Sequence, residues 1–139
     1  MDKLQAKESF YHALENEKLE FENFFLAKLF GLSFSYEEES CVINFESKNF
    51  MFNPQGSLHG GMIAFVLDVS MGHLCEKFLG TAVTLEMKTQ FLRPVMEGMI
   101  RCESSFIKKG SKIIALSSEL YNENGKLAAT ATSTWVKAK

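Results

Sequence analysis

The 139 residues include only two prolines, one tryptophan and three cysteines, and neither sign of charge dominates. Cys41, Cys75 and Cys102 are odd in number, widely spaced and outside any paired-ligand motif. That pattern excludes a disulfide framework and fits the reduced thiols of a cytoplasmic protein. Fifteen basic against seventeen acidic residues leave a net charge of -2. This argues against general nucleic-acid binding, although a local basic patch could still hold a phosphorylated ligand. The N-terminus is charged and lacks an apolar core followed by a small-residue cleavage site, so no secretory signal is expected. Repeats and low-complexity tracts are also missing. The length and a hydrophobic content of 46% suit one domain with a real core.

What the chain does have is one long apolar run. Asn53-Pro54-Gln55-Gly56-Ser57-Leu58-His59-Gly60-Gly61 reads as a turn entering a helix that runs mostly apolar to Cys75, fades through Leu79 and closes at Gly80. The run approaches membrane length, but Asp68, His73, Glu76 and Lys77 interrupt it, so a buried helix and no membrane partner are expected. His73 and Glu76 share a face at i and i+3, yet no third ligand has suitable spacing, and no metal is expected.

Asp68 is the one carboxylate in the apolar part of that helix. Burying it unpaired is costly, so it must meet a partner, a hydrogen bond or a wet cleft. At the other end, the first amides of the helix lack intrahelical acceptors and carry the positive end of its dipole. Gly60 and Gly61, without side chains, would let a ligand oxygen approach those amides, as an oxyanion site requires. The two features are eight residues apart, about 12 Å at the helical rise. A reacting carbonyl must lie about 3 Å from both its oxyanion donor and its attacking group. One chain is therefore expected to supply only half of a site. Two helices meeting antiparallel about a two-fold axis would complete two equivalent sites, so a homodimer is expected, with a dimer of dimers as a further step.

The rest of the chain supplies the sheet. Residues 1–30 carry apolar side chains at helical spacing and read as a helical segment packing on the domain that occupies 31–139. A strand pair turning through 37–40 precedes the central helix. Four strands follow it: 83–91, where Val83, Leu85, Met87 and Phe91 form the apolar side, then 99–107, 113–121 and 127–136, the last pair joined by Asn122-Glu123-Asn124-Gly125. The layout is α+β, an antiparallel sheet wrapped around a central helix.

Asn53, Gly56, His59, Gly60, Gly61 and Asp68, in the pattern Asn-x-x-Gly-x-x-His-Gly-Gly followed by an aspartate, resemble the hotdog-fold acyl-CoA thioesterases of the phenylacetate-pathway type; Val83 to Pro94 looks like that family's next strand. The resemblance implies hydrolysis of an acyl-CoA thioester to a carboxylic acid and coenzyme A, without a separate cofactor. It makes Asp68 the general base or the nucleophile, and Gly60 the amide donor to the thioester oxygen. Asn53 and His59 would shape the turn and orient the reacting groups, with Gly61 close to substrate. Thr84 falls where such enzymes carry a hydroxyl contacting the water or carboxylate. Lys108, Lys109 and Lys112, with Arg93 as a second candidate, could hold the coenzyme phosphates; a solvated lysine hairpin is the plainer alternative. A non-catalytic acyl-CoA sensor and a hotdog hydratase remain alternatives. An Asp68→Asn variant separates the first from an enzyme, and an enoyl-CoA assay reveals the second.

Overall fold

A computed structural model describes residues 1–138. Two helices come first, α1 (Lys3–Asn16) and α2 (Phe25–Leu29), followed by strands β1 (Ser33–Glu37) and β2 (Ser40–Ser47). A short 3-10 turn at Asn49–Met51 leads to the long helix α3 (Gly60–Phe78). Strands β3 (Ala82–Phe91), β4 (Gly98–Lys109), β5 (Ile113–Tyr121) and β6 (Leu127–Lys137) complete the chain. All six strands form one antiparallel sheet in the order β1-β2-β4-β5-β6-β3.

The sheet curls around α3. Ile63, Val66, Leu67, Met71 and Leu74 of the helix meet Ile43, Phe45, Ile100, Ile114, Leu116 and Leu120 in a single core. Burying side chains of this size stabilises by roughly 1.5–3 kcal/mol each, which makes this interface the main source of stability. The other flank of α3 is covered by aromatic rings from the N-terminal segment and β1, with Phe24 and Phe30 packed on Phe65 and Phe34 stacked on His73. Gly61, Ala64 and Asp68, spaced three and four apart, form a less buried stripe between these two coats, which Trp135 closes off at Gly72. The helix stops as its sequence implies: Gly80 adopts φ 102 and donates its N–H to the Cys75 carbonyl.

β3 departs from the alternation that its sequence suggests. The ladder to β6 shifts register between Thr84 and Glu86, so Leu85 has no partner across the ladder. Val83 and Leu85, expected on the buried side, are 51% and 57% exposed. β3 is also an edge strand, paired only with β6. No helix among the described residues is long and apolar enough to cross a membrane.

Candidate active site

The turn before α3 is held from several directions. The Asn53 N–H donates to the Ser57 carbonyl at 2.9 Å, and the Asn53 side-chain oxygen accepts from the Gln55 and Ser57 amides at 2.9 and 3.3 Å. Gly56, at φ 93, closes this loop in a conformation that other residues adopt only with strain. Leu58 and His59 then tie it down, donating their amides to the carbonyls of Val95 and Met51 at 2.7 and 3.0 Å. Asn53 thus fixes the loop and also lines the cleft beside Gly60.

His59 is the N-cap of α3, and its Nδ1 accepts the Gly61 N–H at 3.0 Å. The amide of Gly61 is therefore already engaged. The Gly60 N–H, one residue earlier, has no acceptor among the described residues. It borders a cleft of about 260 Å³ lined by Asn53, Ser57, Leu58, Ile63 and Phe91 to Val95. The Phe91 ring lies 3.5 Å from where a Gly60 side chain would begin. Sequence reasoning missed Phe91, because an aromatic at the end of an alternating strand reads only as core.

Asp68 is two helical turns further on, partly buried on the stripe between the two coats. Thr84 Oγ1 donates to its Oδ1 at 2.8 Å. Burial raises the Asp68 pKa above the usual carboxylate value, and the Thr84 hydrogen bond pulls it back in part. A base raised in this way holds a proton more strongly while its second oxygen stays free for water. Asp68 is not among the residues lining the Gly60 cleft. The structure therefore brings Asp68 and Thr84 together in one half-site, and Asn53, His59, Gly60, Gly61 and Arg93 in another.

The basic candidates divide in the same way. Arg93, at the Gly60 end of β3, donates to the Leu127 carbonyl at 2.6 Å. Lys108, Lys109 and Lys112 lie at the opposite end, where the Lys112 carbonyl accepts the Lys137 N–H beside Ala82. Lys109 is paired with Glu39 at 2.7 Å, whereas Lys108 and Lys112 have no ion-pair partner among the described residues.

His73 is satisfied on both ring nitrogens. Nδ1 donates to the Val69 carbonyl at 3.0 Å and Nε2 accepts the Glu22 N–H at 3.0 Å. With Phe21, Phe24 and Phe34 around it, burial lowers its pKa to about 4. Among the described residues, no group of three His, Cys, Asp or Glu side chains is placed to hold a metal ion. The three cysteines are buried free thiols, with burial raising Cys75 and Cys102 to about 11.

Comparisons with known proteins agree with this architecture. The medium/long-chain acyl-CoA thioesterase YigI of Escherichia coli K12 is 29% identical over 119 residues, covering 73% of this chain and 77% of that protein. The BH2602 protein of Bacillus halodurans, solved with CoA, superposes with a TM-score of 0.90 at 22% identity, covering 99% of this chain and 94% of the other. The PaaI protein from the phenylacetic acid degradation operon of E. coli gives 0.81 at 22% identity, over 94% and 96% of the two chains. Both likenesses establish the hotdog fold. The sequence profile of the thioesterase superfamily matches residues 55–129, more than half of the chain, and with the fold in agreement the chain belongs to the thioesterase superfamily.

Proposed function

We propose that this protein hydrolyses acyl-CoA thioesters at two equivalent sites, each shared between two subunits of a homodimer. The observation that carries the reading is the separation of two unfinished half-sites: a raised carboxylate paired with Thr84, and a free Gly60 amide about 12 Å away along one helix. Antiparallel pairing along the stripe of Gly61, Ala64 and Asp68 sets Asp68 of one subunit opposite Gly60 of the partner subunit. The exposed apolar side chains of the β3 edge support the pairing, since a long bare edge otherwise invites aggregation.

In this arrangement the Gly60 amide and the helix dipole stabilise negative charge on the thioester oxygen. Asp68 takes a proton from water, whose oxygen attacks the carbonyl carbon; the C–S bond then breaks and the proton leaves with the thiolate. Direct attack by the carboxylate, followed by hydrolysis of the anhydride, uses the same atoms. Neither route needs a separate cofactor. Each site would receive Lys108 and Lys112 from the Asp68 subunit and Arg93 from the partner subunit as candidates for the coenzyme phosphates. The acyl-CoA activity of the E. coli relative supports the substrate class. Three buried reduced thiols support a cytoplasmic setting.

The test is release of free thiol from a panel of acyl-CoAs by the native protein and by Asp68→Asn, with binding of the same ligands measured in parallel. Turnover lost on substitution, with affinity kept, is the expected result. Binding without turnover in either protein points to a sensor instead.

A further inference from the structure

We infer that Trp135 is a positioning residue: lodged against Gly72, it selects the bulged register of β3 that turns the Thr84 hydroxyl toward Asp68. The inference rests on the half-site proposed above. Met87, Thr89 and Phe91 pair across the ladder with Ser133, Ala131 and Ala129, whose side chains are buried beneath α3. Counting back in twos from Met87 puts Leu85 and Val83 on that helix-facing side and Thr84 on the far side. A regular ladder would therefore separate Thr84 from Asp68. The bulge removes Leu85 from the count, sets Thr84 opposite Trp135, and so brings it to the helix side, 2.8 Å from Asp68.

Something must hold this register, because the regular one would turn Val83 and Leu85, now exposed, to the helix-facing side. Trp135 fills the space. Its indole N–H donates to Ser133 Oγ at 2.6 Å, and Ser133 in turn donates to Met71 Sδ at 3.0 Å, which pins the ring on both sides of the sheet–helix interface. Its far edge presses on α3 where a methyl group on Gly72 would come within 2.9 Å. A glycine in mid-helix is unfavourable on its own, and the ring explains its presence. Thr84, and not Leu85, stands opposite the ring in the ladder. The lone tryptophan of the sequence and the one glycine of α3 beyond its first turn thus account for one another.

The experiment combines Trp135→Leu with deletion of Leu85. Trp135→Leu alone frees the space, the ladder becomes regular with Leu85 inward, and turnover falls to the level of Thr84→Val. Deleting Leu85 in that background removes the alternative, since Thr84 then faces α3 in a regular ladder, and turnover returns. A tryptophan that merely filled the core would not be rescued by shortening an exposed edge. Carboxyl NMR titration of Asp68 follows the contact without relying on activity: its pKa rises in Trp135→Leu and falls back in the rescued variant. If the native protein releases no thiol, the proposed function fails while this titration still decides the positioning role. A second pair covers loss of folding in Trp135→Leu. Moving the hydroxyl one residue along the exposed edge, Thr84→Val with Leu85→Thr, leaves Trp135 in place and should match Thr84→Val alone. Recovery of turnover or of the native Asp68 titration by that exchange, or no rescue by the deletion in a folded Trp135→Leu protein, overturns the inference.

Discussion

Asp68 and His73 are ionisable groups five residues apart on one helix, and their surroundings differ. His73 has a partner for each ring nitrogen and aromatic rings around it, and it is held neutral. Among the described residues Asp68 has one hydrogen-bond partner, Thr84, and it is only half-buried. A buried polar group with every bond made stabilises the fold and has nothing left to offer a substrate. A carboxylate raised by partial burial and left half-satisfied weakens the fold in exchange for reactivity. Under the proposed function the pair sets a structural residue and the candidate catalytic one within roughly 7.5 Å of helix by rise.

The largest expected effect breaks the comparison on its reactive side. Asp68→Asn should lower kcat by about 10²- to 10⁴-fold, the range of general acid–base catalysis, because the amide still accepts from Thr84 but takes no proton from water. Its thermal stability should stay level or rise. The sign follows from the raised pKa: the folded state binds the proton more tightly, so stability falls as pH rises from the unfolded carboxylate value through the folded one, and asparagine removes that loss. Calorimetry beside the thiol assay measures both, and a destabilised Asp68→Asn would mark Asp68 as structural.

Thr84→Val should lower kcat less, by about tenfold or somewhat more, in keeping with one hydrogen bond to a charged group. Its pH–rate profile should shift the acidic limb upward, because the hydrogen bond that lowers the Asp68 pKa is gone.

On the structural side, His73→Phe keeps a ring but strands the Glu22 amide, and Glu22 already carries a left-handed φ of 70. A loss of about 1–3 kcal/mol in stability is expected, with turnover per folded molecule nearly unchanged. The native protein should lose stability as pH falls from 6.5 toward about 4. Over that window the unfolded chain binds a proton that the folded chain refuses, so the His73 contribution is complete above it and spent below it. Urea unfolding at several pH values should show this slope in the native protein and a shallower one in His73→Phe.

The smallest effect is at the lysine hairpin. Lys109→Ala should change KM for acyl-CoA by less than about twofold, because exposed ion pairs are worth little and Glu39 already occupies this one. Lys108→Ala and Lys112→Ala should raise KM more than Lys109→Ala does, and equal effects for all three would speak for a merely solvated hairpin.

Much of this was legible beforehand. The central helix, its glycine stop, the strand order along the chain and the split between Gly60 and Asp68 all follow from local pattern and helical rise. The bulge was not, because Val83, Leu85 and Met87 alternate regularly in the sequence, and the register that skips Leu85 shows only in the ladder to β6. The commitments of the Gly61 amide to His59, of Arg93 to the Leu127 carbonyl and of Lys109 to Glu39 were equally hidden. Each depends on which group lies nearby after folding, and residue type alone does not encode that.

The central claim, that each site is built from two chains, has a direct test in mixed dimers. Gly60→Pro removes the amide donor at a first helical position, where proline is tolerated, and His59 before it has φ -59 and ψ 134, which suits a residue preceding proline. Asp68→Asn and Gly60→Pro proteins should each be nearly inactive alone. Unfolded together and refolded in equal amounts, they should regain about one quarter of native turnover, because half of the dimers are mixed and each mixed dimer has one intact site of two. No recovery in a mixture shown to contain the mixed dimer would contradict the account and return both half-sites to a single chain.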